Sequence, residues 1–381
     1  MKVFISPFFT PIFFFQTFYT YFKYLLLITS VMQQSYHSGR GAQSNPANSF
    51  LDQQTVQEHI EGIDEEQYVS PHRQIIIDHP KKIISKSDSP DLRMMYSVNP
   101  YQGCEHGCIY CYARNSHEYW GFSAGLDFEQ KIVAKPNAPK LLEQAFQRRS
   151  WRAVPIALSG NTDCYQPVER ELKITQQLLQ VCLKYGNPVG IITKNRLIER
   201  DLPILKELAA EQLVHVYFSI TTQNEELRSK MEPRTASITK RLQTLETLSE
   251  AGIPCGAMLA PIIPSLNDHE IPSLMRQIAD AGALSAGYTV VRLNKAIGPL
   301  FKDWIAKNYP NEASKVWNQI QELHGGAVHD SMWGRRMVGE GPISDHITQL
   351  FKIAKRKYLY GREMPPYDLS RFSRSGSYRL F

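Results

Sequence analysis

Short runs of apolar and β-branched residues alternate with longer amphipathic stretches through the middle of this chain. A short apolar run is typical of a buried strand, and apolar positions that recur every helical turn are typical of a helix. The predicted strands are Met94–Val98, Val154–Leu158, Val189–Thr193, Val214–Ile220, Gly256–Ala260 and Gly287–Leu293. The predicted helices between them are Pro139–Arg148, Glu171–Lys184, Leu197–Ala210, Ile238–Ala251 and Glu270–Ala281.

Glycine marks the ends of several predicted helices. Gly186, Gly252 and Gly282 follow three of them, as expected where the backbone turns left-handed. Strands that alternate with helices predict a parallel sheet with helical crossovers. The sequence therefore predicts the α/β class and a partial (β/α)6 TIM-like barrel of parallel strands. In such barrels the chemistry lies at the carboxyl ends of the strands.

Extensions flank the predicted barrel on both sides. Gln74–Asp78 is predicted to form one short strand, and Pro365–Phe381 is expected to be poorly ordered. The predicted division is residues 1–31 as an apolar segment, 32–90 as an N-terminal extension, 91–300 as the barrel core, and 301–381 as a helical C-terminal extension with a basic tail.

The first segment, Met1–Val31, is rich in Phe, Tyr, Leu and Ile. It is long enough to cross a membrane, but it lacks the small-residue cleavage site of a signal peptide. Met32 follows it at once, and the chain then becomes polar. We interpret the segment as the product of a misassigned start codon, with initiation at Met32; a membrane anchor and a signal peptide are the alternatives. A membrane partner is expected only if the segment is a real anchor.

Composition places the chain among ordinary globular proteins. Its 381 residues are 43% hydrophobic and 21% charged, and the net charge of +6 permits a polyanionic partner without requiring one. Basic residues concentrate near the C-terminus, where a solvated helix face accounts for them and nucleic-acid binding is the alternative. They are Lys352, Lys355, Arg356, Lys357, Arg362, Arg371, Arg374 and Arg379.

Three of the six cysteines carry the strongest chemical signal. Cys104, Cys108 and Cys111 follow the first predicted strand with the spacing Cys-x3-Cys-x2-Cys, and an aromatic residue precedes the last of them. Three thiolates on one short loop can hold three corners of a cubane iron–sulfur cluster and leave its fourth iron open. An open coordination position marks a catalytic rather than a structural metal centre. Gly103 and Gly107 suit a loop that wraps a cluster.

A zinc site is the main alternative for this loop. Structural zinc needs four closed ligands, and the loop supplies three cysteines. His106 or Cys164 would have to be the fourth ligand. A zinc centre and a purely structural cluster therefore stand beside the open [4Fe–4S] cluster as interpretations.

In this loop the chain resembles the radical SAM superfamily. Three cysteines at this spacing, with an aromatic residue before the last of them, are the defining pattern of that superfamily. More narrowly, it resembles the spore photoproduct lyase-like branch of that superfamily. This narrower resemblance depends on the strings SGNTDCYQP at 159–167, EPR at 232–234 and APIIPSLND at 260–268. It covers residues 90–300, and GRGA at 39–42 looks like the amino-terminal signature of one uncharacterised subgroup.

The resemblance implies a mechanism. Cys104, Cys108 and Cys111 would bind three irons of a [4Fe–4S] cluster, and the amine and carboxylate of S-adenosylmethionine would chelate the fourth. One electron would cleave a carbon–sulfur bond of this cofactor, and the resulting 5′-deoxyadenosyl radical would abstract hydrogen from a substrate. The electron would come from a low-potential donor such as flavodoxin or ferredoxin. Such a cluster needs a reducing compartment, so a cytoplasmic location is expected.

The resemblance also places residues around the cofactor. Tyr110 would lie beside the adenine, the 159–162 segment would hold the methionyl amine, and Ser219 would lie near the ribose. Lys194 would meet either the cofactor carboxylate or a structural acid. The cofactor-binding candidates are Tyr110, Ser159, Gly160, Asn161, Thr162, Lys194 and Ser219.

Cys164 is the candidate catalytic residue outside the loop. Spore photoproduct lyase uses a cysteine near the end of its second strand to return hydrogen to a substrate radical. Here the Ser159–Gly160 pair stands closest to that position, and Cys164 is displaced by a few residues. This departure argues against the lyase reaction, and a buried structural thiol is the alternative role for Cys164. Glu232 and Arg234 are expected either to pair with each other or to take part in the site.

The predicted function is a radical SAM enzyme that abstracts hydrogen from an unidentified substrate. Nucleic acid is a candidate substrate through the branch resemblance. The alternative is a non-catalytic zinc or iron–sulfur module that binds nucleic acid.

Overall fold

A computed structural model describes residues 36–51, 73–91 and 95–376 of the chain. The chain divides into two compact units, Met1–Ser38 and Gly39–Phe381, and the fold described below lies in the second. The predicted apolar segment 1–31 and the first residue of the predicted strand Met94–Val98 lie outside the described residues.

Parallel strands in chain order form the main sheet. Among the described residues its strand order is β10-β9-β8-β7-β6-β3-β2, and every neighbouring pair is parallel except β2 with β3. Six parallel neighbours in chain order, joined by helices, wind in one direction, as in a partial TIM-like barrel. The strands are β1 Gln74–Ile77, β2 Ile84–Lys86, β3 Tyr96–Val98, β4 Tyr101–Gln102, β5 Lys131–Ala134, β6 Ile156–Leu158, β7 Val189–Thr193, β8 Val214–Ser219, β9 Cys255–Ile262 and β10 Ser285–Val290.

Amphipathic helices cover the sheet and bury their apolar faces against it. No helix of the described chain is both long and apolar enough to span a membrane. Three-residue-per-turn helices also occupy Tyr112–Trp120 and Arg196–Asp201. The α-helices are α1 Leu126–Gln130, α2 Ala138–Gln147, α3 Glu169–Leu172, α4 Ile174–Tyr185, α5 Leu202–Ala210, α6 Glu225–Met231, α7 Ile238–Glu250, α8 Ile271–Asp280, α9 Ile297–Asn308, α10 Ala313–Leu323 and α11 Gly341–Tyr358.

The two edges of the main sheet are linked across its open side. Asp91 lies in the connection between β2 and β3, at one edge, and its carboxylate accepts a hydrogen bond from Arg336 Nε at 2.6 Å. The segment that carries Arg336 is fixed to the other edge, because Val290 at the end of β10 donates its backbone N–H to Met337 O at 3.0 Å. The sheet is therefore curled enough for one short segment to reach both edges.

A second, small sheet supports the cysteine loop. In the described residues β5 pairs with β1 in parallel and with β4 in antiparallel fashion. The loop leaves directly from β4, and Cys104 donates its backbone N–H to Phe128 O at 2.8 Å, just before β5. The sequence pattern predicted β1 alone of these three strands, because β4 is too short to show a pattern of its own.

The expectation that the C-terminal segment is poorly ordered is wrong for its described part. Residues 365–376 pack near the N-terminal ends of β7 and β8. Pro365 O lies 2.8 Å from a ring nitrogen of His215, and the Tyr367 ring stacks on the same imidazole with 3.9 Å between the ring centroids. Ser373 donates its backbone N–H to Tyr185 O at 2.9 Å. Ring stacking and backbone bonds over a long sequence separation fix this segment.

Candidate active site

The cysteine loop lies at the carboxyl-end side of the parallel strands. It runs from the end of β4 to the helix Tyr112–Trp120. Cys104 and Cys108 are buried and Cys111 is half-buried. Cys104 packs with Phe128 in one small apolar cluster, and Cys111 packs against the same cluster. The charges of all three thiols act on one another, so the three side chains share one region of the protein.

A buried ion pair holds this loop in shape. Arg114 Nη2 lies 2.6 Å from Glu129 Oε1, and both side chains are fully buried. The same guanidinium donates hydrogen bonds to Cys108 O and Gly107 O, each at 2.9 Å. A guanidinium offers several donors in a rigid plane, so it can bind loop carbonyls and a carboxylate together. Arg114 therefore fixes the backbone that presents Cys108.

The amino-terminal signature at 39–42 packs against the outside of this loop. Gly41 and Ala42 donate their backbone N–H groups to the carboxylate of Glu129, at 3.2 Å and 2.8 Å. A Cβ on residue 41 would lie only 1.9 Å from Gly107 O, so glycine is required for this close approach. The segment is therefore part of the support of the cysteine loop.

Two glycines allow the loop to turn inward. Gly103 and Gly107 have φ values of 75° and 67°, in the region that favours glycine. A Cβ at Gly107 would lie 2.7 Å from Glu129 Oε2. The turn and the buried carboxylate beneath it therefore exclude side chains at this position.

The donor set fits an iron–sulfur cluster with three protein ligands. Burial raises the pKa of Cys108 to about 12 and also raises the pKa values of Cys104 and Cys111. Nearby positive charges oppose this effect, above all Lys194 at Cys108. Metal coordination removes the thiol proton outright, and such cations stabilise the negative charge that thiolates bring to a cluster. The described residues contain no group of three His, Cys, Asp or Glu side chains arranged around a single metal ion.

Of the two candidates for a fourth metal ligand, His106 has other partners and Cys164 lies in the apolar core. The His106 ring nitrogens lie 3.4 Å from Asp163 Oδ2 and 3.2 Å from Asn195 Nδ2. Cys164 belongs to the main apolar core, and its backbone is held by Ser159 Oγ at 2.8 Å and by Thr175 Oγ1 at 2.7 Å. These contacts argue against the four-ligand zinc site.

Asp163 joins the cysteine loop to two strand ends. Besides its contact with His106, its carboxylate accepts hydrogen bonds from Thr193 Oγ1 and from the backbone N–H of Lys194, each at 2.8 Å. Burial alone would raise the pKa of Asp163, but the His106 charge and these hydrogen bonds outweigh it and keep the pKa below its usual range. The sequence motif at 159–167 contains this residue, but no role was predicted for it.

The side chains of residues 159–162 hydrogen-bond other residues of the protein. Thr162 Oγ1 donates to Tyr101 O at 2.9 Å, and Gly160 O accepts a hydrogen bond from the hydroxyl of Tyr112 at 2.5 Å. Asn161 binds Gln102 and Ser116 through its amide nitrogen. Since Ser159 holds the backbone of Cys164, the side chains of the segment bind protein partners. A cofactor would therefore meet mainly its backbone.

Two predicted site residues present polar groups that hydrogen-bond no described residue. The Lys194 ammonium group makes no hydrogen bond or ion pair with any described residue, and the nearest ring is that of Tyr110, whose centroid lies 5.9 Å from Nζ. Burial lowers the pKa of Lys194, but the charges of Glu232 and Cys108 outweigh burial and raise it. The hydroxyl of Ser219 likewise makes no hydrogen bond within the described chain.

Glu232 lies at the centre of a buried charge network beside Tyr110. It accepts hydrogen bonds from the Tyr110 hydroxyl and, at 2.7 Å, from Thr221 Oγ1. Its ion-pair partner is Arg241, with 2.5 Å between Nη2 and Oε2, and not Arg234 as one of the two expectations had it. Burial opposes the charge, but Arg241 and Lys194 lower the pKa of Glu232 to about 2.

His117 gives the loop region a pH-dependent stability. The imidazole packs between Phe122 and Phe128, with centroid distances of 5.1 and 5.6 Å, and neither ring nitrogen hydrogen-bonds a described residue. Burial lowers its pKa from 6.5 to about 4, and the charge of Asp127 offsets this only in part. The unfolded chain therefore binds a proton between pH 6.5 and 4 that the folded chain excludes, which costs at most about 3 kcal/mol of unfolding free energy.

We expect His117→Phe to remove this pH-dependent loss, because phenylalanine keeps the ring contacts and has no proton to bind. Urea unfolding at a series of pH values measures the effect, with the exposed His346→Phe as the matched control. Equal pH profiles for wild type and His117→Phe would contradict the assignment.

Comparison with known proteins agrees with this geometry. The Radical SAM superfamily profile matches residues 98–278. An uncharacterised protein of Mycobacterium tuberculosis is 35% identical over 226 residues, which are 59% of this chain and 66% of the relative's own length. The radical SAM Nalpha-GlyT isomerase of Pseudomonas phage M6 is 24% identical over 53% of this chain and 43% of its own.

The fold also has solved counterparts. Spore photoproduct lyase complexed with dinucleoside spore photoproduct superposes with a TM-score of 0.56 at 16% identity, over 80% of this chain and 86% of the lyase. This likeness shows a shared fold. The family match covers the cysteine loop and the strands that surround the site. Residues 98–278 of this chain therefore form a radical SAM domain.

Proposed function

We propose that this protein binds a [4Fe–4S] cluster through Cys104, Cys108 and Cys111, binds S-adenosylmethionine at the open iron, and abstracts hydrogen from a substrate. The observation that carries this proposal is the loop itself, with two buried thiols and one half-buried thiol in one region. Of the candidate fourth ligands, His106 contacts Asp163 and Asn195, and Cys164 lies in the main apolar core. When bound and reduced, the cluster and cofactor supply a 5′-deoxyadenosyl radical.

The chain's own residues bind and orient the cofactor. Lys194, whose ammonium group has no described partner, is suited to the methionyl carboxylate. The Ser219 hydroxyl is suited to the ribose, and the backbone of 159–162 to the methionyl amine. Tyr110, held by Glu232 and Thr221, would place its backbone beside the adenine.

Nucleic acid is the substrate class that we propose. The net charge of +6 suits a polyanion. The fold neighbour, spore photoproduct lyase, has been solved with AdoMet and a dinucleoside spore photoproduct bound. The proposed electron donor is a low-potential protein such as flavodoxin or ferredoxin. We propose a cytoplasmic location, because all six cysteines are free and the cluster requires reducing conditions.

The experiment that tests this function is anaerobic reconstitution of the full chain with iron and sulfide, followed by dithionite and S-adenosylmethionine. The expected product is 5′-deoxyadenosine, even without a substrate. A colourless protein that purifies with zinc and forms no deoxyadenosine would instead support the non-catalytic module.

Cys164 distinguishes the three-ligand cluster from a four-ligand site. We expect Cys164→Ala to retain the full iron content after reconstitution, because its side chain lies in the apolar core and its backbone is held by Ser159 and Thr175. Iron analysis and the absorption spectrum measure this. Loss of iron in this variant would return Cys164 to the ligand set.

A further inference from the structure

An arginine with no hydrogen-bond partner among the described residues follows the last strand of the main sheet. Arg292 follows β10 by two residues and is half-buried, yet it makes no hydrogen bond or ion pair with any residue that the structure describes. A partly desolvated guanidinium without an anion is unfavourable, so this position suits a ligand that brings one.

Arg292 lies near the helix that follows the cysteine loop, because Asn115 of that helix donates a hydrogen bond from Nδ2 to Asn294 O at 3.1 Å. The charges of Arg292 and Tyr112 act on each other, and Tyr112 is the residue directly after Cys111. The Tyr112 hydroxyl binds Gly160 O, at the end of β6. The helix that follows the cysteine loop therefore contacts the segments that follow β6 and β10, and Arg292 belongs to the second of these segments.

A second arginine raises the positive potential there. Arg336 is close enough for its charge to lower the pKa of Arg292, after the larger effect of burial. Asp91 balances Arg336 directly, through the 2.6 Å hydrogen bond at Nε, and acts on Arg292 only at longer range. Arg335, the neighbour of Arg336, pairs with Asp330 and Glu340. Arg292 is therefore the guanidinium of this group for which the structure describes no carboxylate partner.

Exposed aromatic rings flank the arginines. The Arg336 guanidinium lies 4.1 Å from the centroid of Trp333, and the Trp333 side chain is 56% exposed. On the helix that follows the cysteine loop, the Tyr119 ring stacks on Phe50, and the two ring centroids are 4.8 Å apart. Lys295 Nζ lies 5.6 Å from the centroid of the Phe50 ring. Exposed rings beside cations are the surface that binds single-stranded nucleic acid, by stacking bases and pairing phosphates.

We propose that Arg292 binds a backbone phosphate of a single-stranded nucleic acid, with Trp333 and Tyr112 available to stack its bases. The inference deepens the proposed function, because it assumes that the substrate approaches the cysteine loop from the side of Arg292. The aromatic rings favour a nucleotide over an acidic peptide, whose carboxylates would use only the arginines.

The test is fluorescence anisotropy of a labelled single-stranded oligodeoxynucleotide titrated with the full-length protein. We expect Arg292→Gln to weaken binding about tenfold and to reduce the slope of log affinity against log salt by about 0.7, the value for one phosphate. The affinity of Arg292→Lys should lie between those of wild type and Arg292→Gln, because lysine keeps the positive charge but lacks the planar guanidinium that binds a phosphate through two donors. The matched control is Arg276→Gln, an exposed arginine on the outer helix α8, which should bind like wild type.

Two competing ligands distinguish a nucleic-acid site from a general anion site. An abasic oligonucleotide of equal length should bind more weakly than the normal one, because it cannot stack. Polyglutamate should compete poorly. Equal losses in Arg292→Gln and Arg276→Gln, or equal affinity for polyglutamate, would overturn the proposal.

The result of this binding test can be distinguished from the result of the test of the proposed function. Thermal melting should show Arg292→Gln folded like wild type, since the side chain has no described partner to lose. Deoxyadenosine formation by the wild type, measured without nucleic acid, tests the radical chemistry alone. Chemistry without an Arg292-dependent affinity would overturn the subsite and leave the enzyme.

Discussion

Cys108→Ala is expected to abolish both iron binding and deoxyadenosine formation in reconstituted protein. Each loop thiolate holds one corner of the proposed cluster, and no described side chain stands ready to replace it. The loss should exceed about a thousandfold in rate, because without a cluster no electron reaches the cofactor. Cys104→Ala and Cys111→Ala should behave alike. Iron content and product formation are the two measurements.

The matched control is Cys255→Ala, which removes a buried thiol at the start of β9. It should cost about 1 kcal/mol of stability and leave the iron content unchanged. Deoxyadenosine formation by any of the three loop variants would contradict the assignment of the ligands.

Glu232→Gln is expected to lower the free energy of unfolding by about 3–5 kcal/mol. The carboxylate is fully buried and lies 2.5 Å from Arg241, and it also balances the charge of Lys194. The amide has the same shape but leaves the buried guanidinium without a counter-ion. Urea unfolding at neutral pH measures the difference.

The pH dependence of this difference is a second test of the same network. The pKa of Glu232 falls from 4.5 in the unfolded chain to about 2 in the folded one, so its contribution is complete above pH 4.5 and is lost as the pH falls towards 2. The difference in the free energy of unfolding between wild type and Glu232→Gln should therefore become smaller as the pH falls from 4.5 towards 2. The control Glu226→Gln removes an exposed carboxylate that pairs with the half-buried Lys230, and it should change stability far less than Glu232→Gln. Equal effects of the two substitutions would contradict the network.

The barrel core was predictable from local pattern, because buried parallel strands and amphipathic helices each have their own periodicity. The predicted strand Val189–Thr193 has the observed bounds, and the predicted helix Ile238–Ala251 differs from α7 by one residue. The small sheet of β1, β4 and β5 was predictable only in part, because its pairing joins segments far apart in the chain. The packing of residues 365–376 was not predictable for the same reason.

The site was predictable only where the spacing of residues along the chain indicates their chemistry. The three cysteines stand within one loop, so their spacing alone indicated a metal centre. Asp163 and Glu129 act through partners that are remote in sequence, and nothing local marks a carboxylate as the residue that holds a loop. The sequence offered Arg234 as the neighbour of Glu232, yet the fold brings Arg241 to it, because helix α7 returns its first turns to the end of β8.

The open iron of the proposed cluster is tested most directly by electron paramagnetic resonance of the reduced, reconstituted full chain, recorded with and without S-adenosylmethionine. We expect one [4Fe–4S] signal per chain whose shape changes when the cofactor is added, because an iron without a protein ligand exchanges its coordination. A cluster signal that is indifferent to the cofactor, together with spectroscopic evidence of four protein ligands, would contradict the three-cysteine assignment.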